Sequence, residues 1–312
     1  MSKTGLRHVF GPVPSRRLGR SLGLDLVPFK TCTYDCIYCQ LGRTTNRTVE
    51  RGCYIPIDEA LAELEQKLAD KDAPDYITLS GSGEPTLDSG IGDLIPRIKG
   101  MTDLPVAVLT NGSLLWMREV QDALMEADLV LPSLDAGDEE LFRYVNRPHS
   151  SISFDLMADG LATFAGRFKG RLWLEVLLLG GVTGIPAEVE KIAAAVRPIR
   201  PARVQLNTVS RPPAEEFALP VDRDELAGFL HFFSGAVEVI SEDESSPPRR
   251  TQVTGTTDAD ILALLRRRPC TVHDVAVGLN VRTSEVAKRL HALLQQRVIR
   301  TVRRDGVLFY RA

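Results

Sequence analysis

Residues 30–40 of the 312-residue chain read Lys-Thr-Cys-Thr-Tyr-Asp-Cys-Ile-Tyr-Cys-Gln, which places Cys32, Cys36 and Cys39 in the spacing C-x3-C-x2-C. The chain has five cysteines, so three of them fall in this one segment. Thiolates are soft ligands that select iron–sulfur clusters, zinc or Cu(I). Three ligands would leave one iron of a four-iron cluster open, and an open coordination position is typical of a reactive metal site. A zinc site with a distant fourth ligand, or three buried structural cysteines, is the alternative.

The composition is that of an ordinary globular protein, with 44% hydrophobic and 25% charged residues. The length suits one large domain together with a small one. The first residues lack the apolar core of a signal peptide, and no run of about 18 apolar residues occurs. We therefore expect no membrane span and a cytoplasmic location, which the clustered cysteines also favour because a disulfide framework would distribute them differently.

The net charge of −3 conceals an asymmetry along the chain. From Arg249 onward there are 13 Lys and Arg residues against 5 Asp and Glu residues, whereas the preceding part has an excess of acidic residues. A basic segment that follows an acidic body predicts a separate module with a polyanionic partner.

Short apolar runs alternate with helical patterns through most of the chain. Such uninterrupted apolar strands between helices predict an α/β fold with a parallel sheet covered on both faces. The region 6–20, rich in Pro, Gly and Arg, is predicted as an ordered loop before the first strand. The predicted strands are 21–26, 76–80, 106–110, 129–134, 172–179, 203–206 and 237–240.

The last 60 or so residues form a compact pattern of their own. Residues 241–254 are polar, contain a Pro-Pro pair and are predicted as a linker between domains 1–240 and 255–312. Thr257 with Asp260, and Thr271 with Asp274, match capping boxes that open two short helices. Thr283 is predicted to cap a third helix over 284–296, and strands 298–303 and 307–311 flank a turn.

Three helices followed by a hairpin resemble a winged helix-turn-helix, which presents its second motif helix to a nucleic-acid groove. Its candidate phosphate-contacting residues are Arg282, Lys288, Arg289, Arg303 and Arg304. A protein-contact or dimerisation role for the same module is the alternative.

Polar residues follow the predicted strands at their carboxyl ends, which is where parallel β/α folds place their chemistry. The most distinctive segment is Gly81, Ser82, Gly83, Glu84 and Pro85, because glycines allow a close approach of the backbone to a ligand and a carboxylate can pair with an ammonium group. Further candidates at later strand ends are Asn111, Ser133, Asp135, Gln205 and Asn207.

The cysteine spacing, with the aromatic Tyr38 before the last cysteine, resembles the cluster loop of the radical S-adenosylmethionine (SAM) enzymes. The resemblance implies a (β/α)6 partial barrel and a 4Fe–4S cluster whose fourth iron chelates SAM. One electron, from a reductant such as flavodoxin or ferredoxin, then cleaves SAM to methionine and a 5′-deoxyadenosyl radical. Residues 81–85 resemble the family's Gly-Gly-Glu-Pro element, which binds the SAM amino group. Tyr38 is expected near adenine or as a shield for the cluster.

The resemblance also implies ribose and carboxylate contacts to SAM at Asn111, Ser133 and Asp135. Asn111 with Gly112 could instead form only a turn. Gln205 and Asn207 are polar candidates for the same site at the end of the sixth strand.

The segment 11–19, together with 205–213, narrows the resemblance to the radical SAM group that includes the tRNA wyosine-synthesis enzymes. Arg16, Arg17 and Arg211 are then candidates for binding a substrate phosphate or carboxylate, although they could equally pair with acidic residues of the body. Those enzymes resemble a two-cluster design, whereas only Cys53 and Cys270 remain here. The sequence therefore predicts a one-cluster relative of these enzymes with a different substrate.

The sequence predicts a radical SAM enzyme that modifies RNA, specifically a tRNA nucleoside, with the basic module holding the substrate. The first alternative is a radical SAM enzyme that acts on a peptide, protein or small molecule. The second is an iron–sulfur DNA-binding regulator, which would not require residues 81–85 or a whole barrel.

Overall fold

The computed structural model describes residues 8–69, 74–240 and 257–312. The predicted linker 241–254 lies outside these described residues. Ten strands precede the C-terminal segment: β1 Val9–Ser15, β2 Gly19–Leu24, β3 Thr31–Cys32, β4 Asn46–Arg47, β5 Tyr76–Leu79, β6 Val106–Thr110, β7 Leu129–Pro132, β8 Arg171–Leu178, β9 Arg203–Thr208 and β10 Val237–Val239.

Eight of these strands form one sheet in the order β1-β2-β5-β6-β7-β8-β9-β10, while β3 and β4 form a separate parallel pair. All neighbours in the large sheet are parallel except β1, which runs antiparallel to β2. The predicted α/β fold with a parallel sheet is confirmed. The sheet and the elements that cover it, residues 8–240, are called the sheet unit below.

The prediction of a loop over 6–20 is wrong in part, because residues 9–15 form the edge strand β1. Its two prolines, Pro12 and Pro14, are compatible with a strand since an edge strand needs ladder hydrogen bonds on one side only. The register shifts between Phe10 and Val13, which accommodates the proline between them.

Helices connect the parallel strands and cover the sheet: α1 Ile57–Leu68, α2 Ile91–Met101, α3 Arg118–Ala123, α4 Glu139–Val145, α5 Phe154–Arg167, α6 Pro186–Val196 and α7 Arg223–Gly228. Their apolar faces, such as Leu61 and Leu64 of α1 or Ile95 and Ile98 of α2, are fully packed into the core. None of the helices in the described ranges is both long and apolar enough to cross a membrane.

Strand β8 shows how the sheet separates its two faces. From Leu172 to Leu178 the residues alternate between buried and half-buried, so Leu174 and Val176 face the helices. Glu175 and Leu177 face the opposite side, where a polar cavity lies. Because successive side chains of a strand point to opposite faces, one face of the sheet packs in the core and the other lines the cavity.

Residues 257–312 form α8 Asp258–Arg267, α9 Val272–Gly278, α10 Thr283–Gln295 and a hairpin of β11 Arg300–Arg304 with β12 Val307–Arg311. We call these residues the C-terminal unit. Both predicted capping boxes are present, at Thr257 and Thr271. The predicted cap of α10 is wrong: Arg282 occupies the N-cap position and Thr283 is already helical. The unit has its own apolar core and packs against β1 of the sheet unit.

Candidate active site

A cavity of about 320 Å³ lies at the carboxyl ends of the parallel strands, within the range of small-molecule sites. The three clustered cysteines line it together with most of the other residues that the sequence singled out. Those in its wall are Cys32, Cys36, Cys39, Tyr38, Gly81, Ser82, Gly83, Ser133, Asp135, Asn207, Arg16, Arg17 and Arg211. Glu84, Pro85, Asn111 and Gln205 are not among the residues that line the cavity.

The cysteine loop is anchored at its start by Lys30, whose side chain is buried and whose backbone has a φ of 65°. The backbone nitrogen of Lys30 donates to the carbonyl of Ser82 at 2.7 Å, and its carbonyl accepts from Thr45 and Asn46 at 3.2 and 3.1 Å. A left-handed conformation at a residue other than glycine persists only where the surroundings determine it. The contacts therefore fix the loop against residues 81–85.

Each cysteine sulfur has a nitrogen donor beside it. The amide Nδ2 of Asn111 lies 3.5 Å from Sγ of Cys32, and Nδ2 of Asn146 lies 3.6 Å from Sγ of Cys36. The ammonium group of Lys30 lies 3.6 Å from Sγ of Cys39. Donors aimed at sulfur favour the negatively charged thiolate and tune a metal centre bound through it.

Residues 81–83 pack directly on the cysteine loop. A Cβ at Gly83 would meet the backbone carbonyl oxygen of Thr31 at 1.8 Å, so only glycine allows this approach. The next backbone nitrogen, of Glu84, donates to the same carbonyl at 3.1 Å. Gly81 has a φ of 147°, and a Cβ there would meet the carboxylate of Asp25 at 2.5 Å. Both glycines are thus required by close neighbours.

The carboxylate of Glu84, the predicted partner of the SAM amino group, is buried and hydrogen-bonded within the protein. Its oxygens accept from Oγ1 of Thr86 and of Thr110 at 2.6 Å each, and from the backbone nitrogen of Asn111 at 2.8 Å. Burial raises its pKa, although these hydrogen bonds act in the opposite direction. Glu84 therefore connects the ends of two neighbouring strands through hydrogen bonds. Residues 81–83 line the cavity.

A second buried network lies beneath the cysteines, around Asp135. Its carboxylate accepts from the hydroxyl of Tyr38, from Nδ2 of Asn146 at 2.9 Å and from the backbone nitrogen of Leu177 at 3.0 Å. Burial raises the pKa of Asp135 to about 6, while the hydrogen bonds oppose that rise. The network sets the orientation of the Tyr38 ring in the cavity wall.

The far wall of the cavity is polar and spans several strands. Arg17 makes a bidentate pair with Glu175 at 2.7 and 2.9 Å, and Nδ2 of Asn207 donates to Glu175 at 2.7 Å. Ser133 bridges to Glu175 through the backbone. Gln205 is fully buried deeper in the sheet, where it donates to Glu238 at 2.8 Å. The predicted Arg17 is therefore already paired with a carboxylate of the protein.

Arg211 lies at the border between the cavity and the C-terminal unit. Its side chain is 10% exposed, pairs with Asp274 of α9 at 3.3 Å, and has a buried Nε without a hydrogen-bond partner. Arg16 lines the same cavity. Arg16 and Arg211 thus place two guanidinium groups in the wall at this end of the cavity.

Residues 26–196, more than half of the chain, match the family model of the radical SAM superfamily. The chain belongs to the radical SAM superfamily. Its members use a 4Fe–4S cluster and SAM. The three cysteines and residues 81–83, which line the cavity described above, lie within the matched region.

Curated relatives extend the match beyond that region. A protein of Brachyspira hyodysenteriae named GTPase Obg is 41% identical over 310 residues, covering 99% of this chain and 46% of that protein. This chain thus spans less than half of that relative's length. A UPF0026 protein of Helicobacter pylori strain J99 is 35% identical over 316 residues, covering 99% of both chains. A UPF0026 protein of Methanocaldococcus jannaschii is 35% identical over 237 residues, covering 75% of this chain and 73% of that one.

Solved structures share the fold at low sequence identity. A radical SAM methyltransferase from Sphaerobacter thermophilus matches with a TM-score of 0.53 and 16% identity, covering 70% of this chain and 65% of that chain. SuiB of Streptococcus suis bound to S-adenosylmethionine matches with a TM-score of 0.51 and 12% identity, covering 70% of this chain and 50% of that chain. Both likenesses support a radical SAM architecture for the sheet unit.

The chemical surroundings of Cys32, Cys36 and Cys39 are suited to binding an iron–sulfur cluster. Burial, followed by the charge of Glu84, raises the pKa of the Cys32 thiol to about 12, and burial also raises that of Cys36. Metal coordination removes the proton of such a thiol, and the nearby N–H donors then stabilise the thiolate. Within the described ranges no three His, Cys, Asp or Glu side chains are arranged to hold a metal ion. A cubane differs from a single ion because each of its cysteines binds a separate iron.

The five predicted nucleic-acid residues do not form one exposed surface. Arg282, Lys288 and Arg303 are exposed. Arg289 pairs with Asp258 and Glu285 at 3.0 Å each. Arg304 donates to the backbone carbonyls of Arg211 and Ala218 at 3.3 and 2.9 Å, so it binds the sheet unit.

Several residues of the site were missed from sequence. Asn146 carries no recognisable motif, although its position just after α4 and before the pair Arg147-Pro148 marks a sharp turn. Glu175 is an acidic residue within an otherwise apolar strand, a signal that could have identified it. Asp25, which follows β2, gave no signal because its partners are distant in sequence.

Proposed function

We propose that this protein cleaves SAM reductively with a 4Fe–4S cluster held by Cys32, Cys36 and Cys39. One observation carries the proposal: three cysteine sulfurs, each with a nitrogen donor within 3.6 Å, line one cavity with the backbone of residues 81–83. When bound, the reduced cluster supplies the electron that splits SAM into methionine and a 5′-deoxyadenosyl radical, which abstracts a hydrogen atom from substrate.

The residues of this chain would bind SAM, orient it and shield the reaction from water. Gly81 and Gly83 line the cavity without a side chain, so their backbone is the proposed contact for the amino acid part of SAM. Tyr38, held by Asp135, and Leu177 supply an apolar wall that keeps water from a reactive intermediate. Ser133 and Asn207 are the polar wall groups that remain as candidates for SAM hydroxyl contacts. The electron would come from a reductant such as flavodoxin or ferredoxin.

The substrate proposed is RNA, specifically a tRNA nucleoside, bound by a (β/α)6-type barrel with a winged helix at its C-terminal end. The arginines of the cavity wall, Arg16 and Arg211, suit a phosphate of a nucleotide. Arg282, Lys288 and Arg303 stay exposed on α10 and the hairpin, where they could contact further phosphates.

The chain differs from the two-cluster wyosine-synthesis enzymes in the cysteines that remain outside the cluster loop. Cys53 is exposed and lies 3.5 Å from Ser89, whereas Cys270 is buried in the core of the C-terminal unit. Two thiols in such different surroundings do not supply a second cluster site. We therefore propose a one-cluster relative that modifies a different nucleoside.

A radical SAM reaction on a peptide, a protein or a small molecule is the second candidate. It is favoured by the internal pairing of Arg289 and the contacts of Arg304 with the sheet unit, which reduce the exposed basic surface. A DNA-binding iron–sulfur regulator is the third candidate, and a cavity of about 320 Å³ beside the cysteines, within the range of small-molecule sites, argues against it.

The test uses anaerobically reconstituted protein with SAM and a strong reductant, in the presence and absence of total cellular tRNA. The expected result is 5′-deoxyadenosine formation that rises when tRNA is added. Formation that is independent of tRNA would retain the radical chemistry and favour the second candidate. No 5′-deoxyadenosine under either condition would contradict the proposal.

A further inference from the structure

Arg267 of the C-terminal unit is largely buried against the sheet unit. Arg267, at the end of α8, lies with its guanidinium carbon 4.4 Å from the ring centre of Phe10 on β1, and its Nε lies 3.6 Å from Oδ2 of Asp25. The side chain of Arg267 is 15% exposed and that of Asp25 is 11% exposed. An ion pair of this kind is shielded from solvent and retains much of its Coulombic strength.

Asp25 in turn holds Ser82. The carboxylate accepts the backbone nitrogen of Ser82 at 2.8 Å through Oδ1 and its hydroxyl at 2.5 Å through Oδ2. The same carboxylate occupies the space where Gly81 would carry a Cβ. Ser82 and both neighbouring glycines line the cavity, so the position of Asp25 determines the shape of this wall.

Burial raises the pKa of Asp25, while the hydrogen bonds from Ser82 and the charge of Arg267 act to lower it. Without a cation beside it, a buried carboxylate tends to take up a proton and would lose part of its strength as an acceptor.

Resting on the SAM binding proposed above, we propose that Arg267 is a positioning residue for SAM: it fixes Asp25, which fixes the backbone of residues 81–83 in the conformation that receives the ligand. The C-terminal unit is then a part of the SAM site as well as a candidate for holding substrate. Its other contacts with the cavity wall point the same way, since Asp274 pairs with Arg211 and Arg311 donates to the carbonyl of Leu41 at 2.7 Å.

The test compares Arg267→Met, which replaces the guanidinium beside Phe10 by an uncharged unbranched side chain, with Arg267→Lys, which keeps a charge. Arg266→Met is the matched control because Arg266 is the adjacent residue and is exposed. All variants are made in the full chain, and iron content is measured after anaerobic reconstitution. SAM binding is measured by equilibrium dialysis, which does not depend on turnover.

We expect Arg267→Met to weaken SAM binding about tenfold at unchanged iron content, with Arg267→Lys intermediate and Arg266→Met like the wild type. In an Asp25→Asn background, Arg267→Met should have little further effect, because the partner charge is already absent. Wild-type affinity in Arg267→Met, or additive effects of the two substitutions, would overturn the proposal.

Hydrogen exchange on the protein without cluster or SAM provides a second measurement that is independent of the proposed function. Arg267→Met should speed exchange of the peptide that contains Ser82 and leave α5 unchanged. Faster exchange in both segments would indicate general destabilisation and overturn the positioning role. If the wild type fails to bind SAM, the proposed function fails, whereas the exchange result still decides whether Arg267 controls residues 81–83.

Discussion

Nδ2 of Asn146 lies 3.6 Å from Sγ of Cys36, although 110 residues separate the two in the chain. The same amide reaches Asp135 at 2.9 Å and the hydroxyl of Tyr38 at 3.3 Å. Asn146 thus joins a proposed cluster ligand to the network that orients the cavity wall, and it is itself buried.

Asn146→Leu should allow the cluster to assemble but should lower its reduction potential. Loss of an N–H donor beside a ligand sulfur removes a stabilising interaction that is strongest in the more negative, reduced state. Redox titration monitored by electron paramagnetic resonance would measure the change. Asn46→Leu, at an exposed position on β4, is the matched control. Equal potentials in the two variants would exclude a role for the Asn146 amide in tuning the cluster.

Gly83→Ala should abolish stable cluster incorporation. Its Cβ would lie 1.8 Å from the carbonyl oxygen of Thr31, so the cysteine loop would have to move. Gly100→Ala is the control, since nothing lies within 4 Å of its Cβ and alanine in a helix is favoured by about 0.5–1 kcal/mol. Iron content and thermal unfolding would be measured for both. A Gly83→Ala protein with full iron content would contradict the close contact.

Cys36→Ala should remove the visible absorbance of the reconstituted cluster, because a proposed ligand is lost. Cys53→Ala should leave that absorbance unchanged, since Cys53 is exposed and does not line the cavity. The ultraviolet–visible spectrum and the iron-to-protein ratio provide the measurement. A full cluster in Cys36→Ala would refute the ligand assignment.

Glu175→Gln should destabilise the fold by about 1–3 kcal/mol, because it leaves the Arg17 guanidinium without its charged partner in a largely buried place. The exposed pair of Arg97 with Asp58 serves as the comparison, since solvent screens it and Asp58→Asn should change stability far less. Chemical denaturation of the two proteins would test the difference. Similar midpoints would show that the cross-sheet pair adds nothing to stability.

The sequence allowed the architecture to be predicted because apolar runs and helical periodicity depend on local spacing. It also predicted which strand ends meet, so Tyr38, residues 81–83, Ser133, Asp135 and Asn207 line one cavity. The hydrogen-bond partners of a side chain were not predictable in the same way. Glu84 was singled out from its motif, whereas its contacts with Thr86, Thr110 and Asn111 are visible only in the structure.

Contacts between distant segments were not predictable from spacing. Arg267 and Asp25 are separated by 242 positions, and no periodic pattern connects them. The basic excess of the C-terminal segment suggested a polyanionic ligand, but Arg267 and Arg304 bind the sheet unit. The net charge of a segment gives the balance of its basic and acidic residues. Which groups those residues contact depends on the folded arrangement.

The order of Cys36 and Asn146 along the chain has a consequence for how the site forms. Cys36 is synthesised 110 residues before Asn146, and the strands that complete the cavity wall follow later still. At ribosomal rates the interval to Asn146 lasts roughly 5–20 s. The nitrogen donors beside the three cysteine sulfurs are therefore complete only after residue 146 has been synthesised.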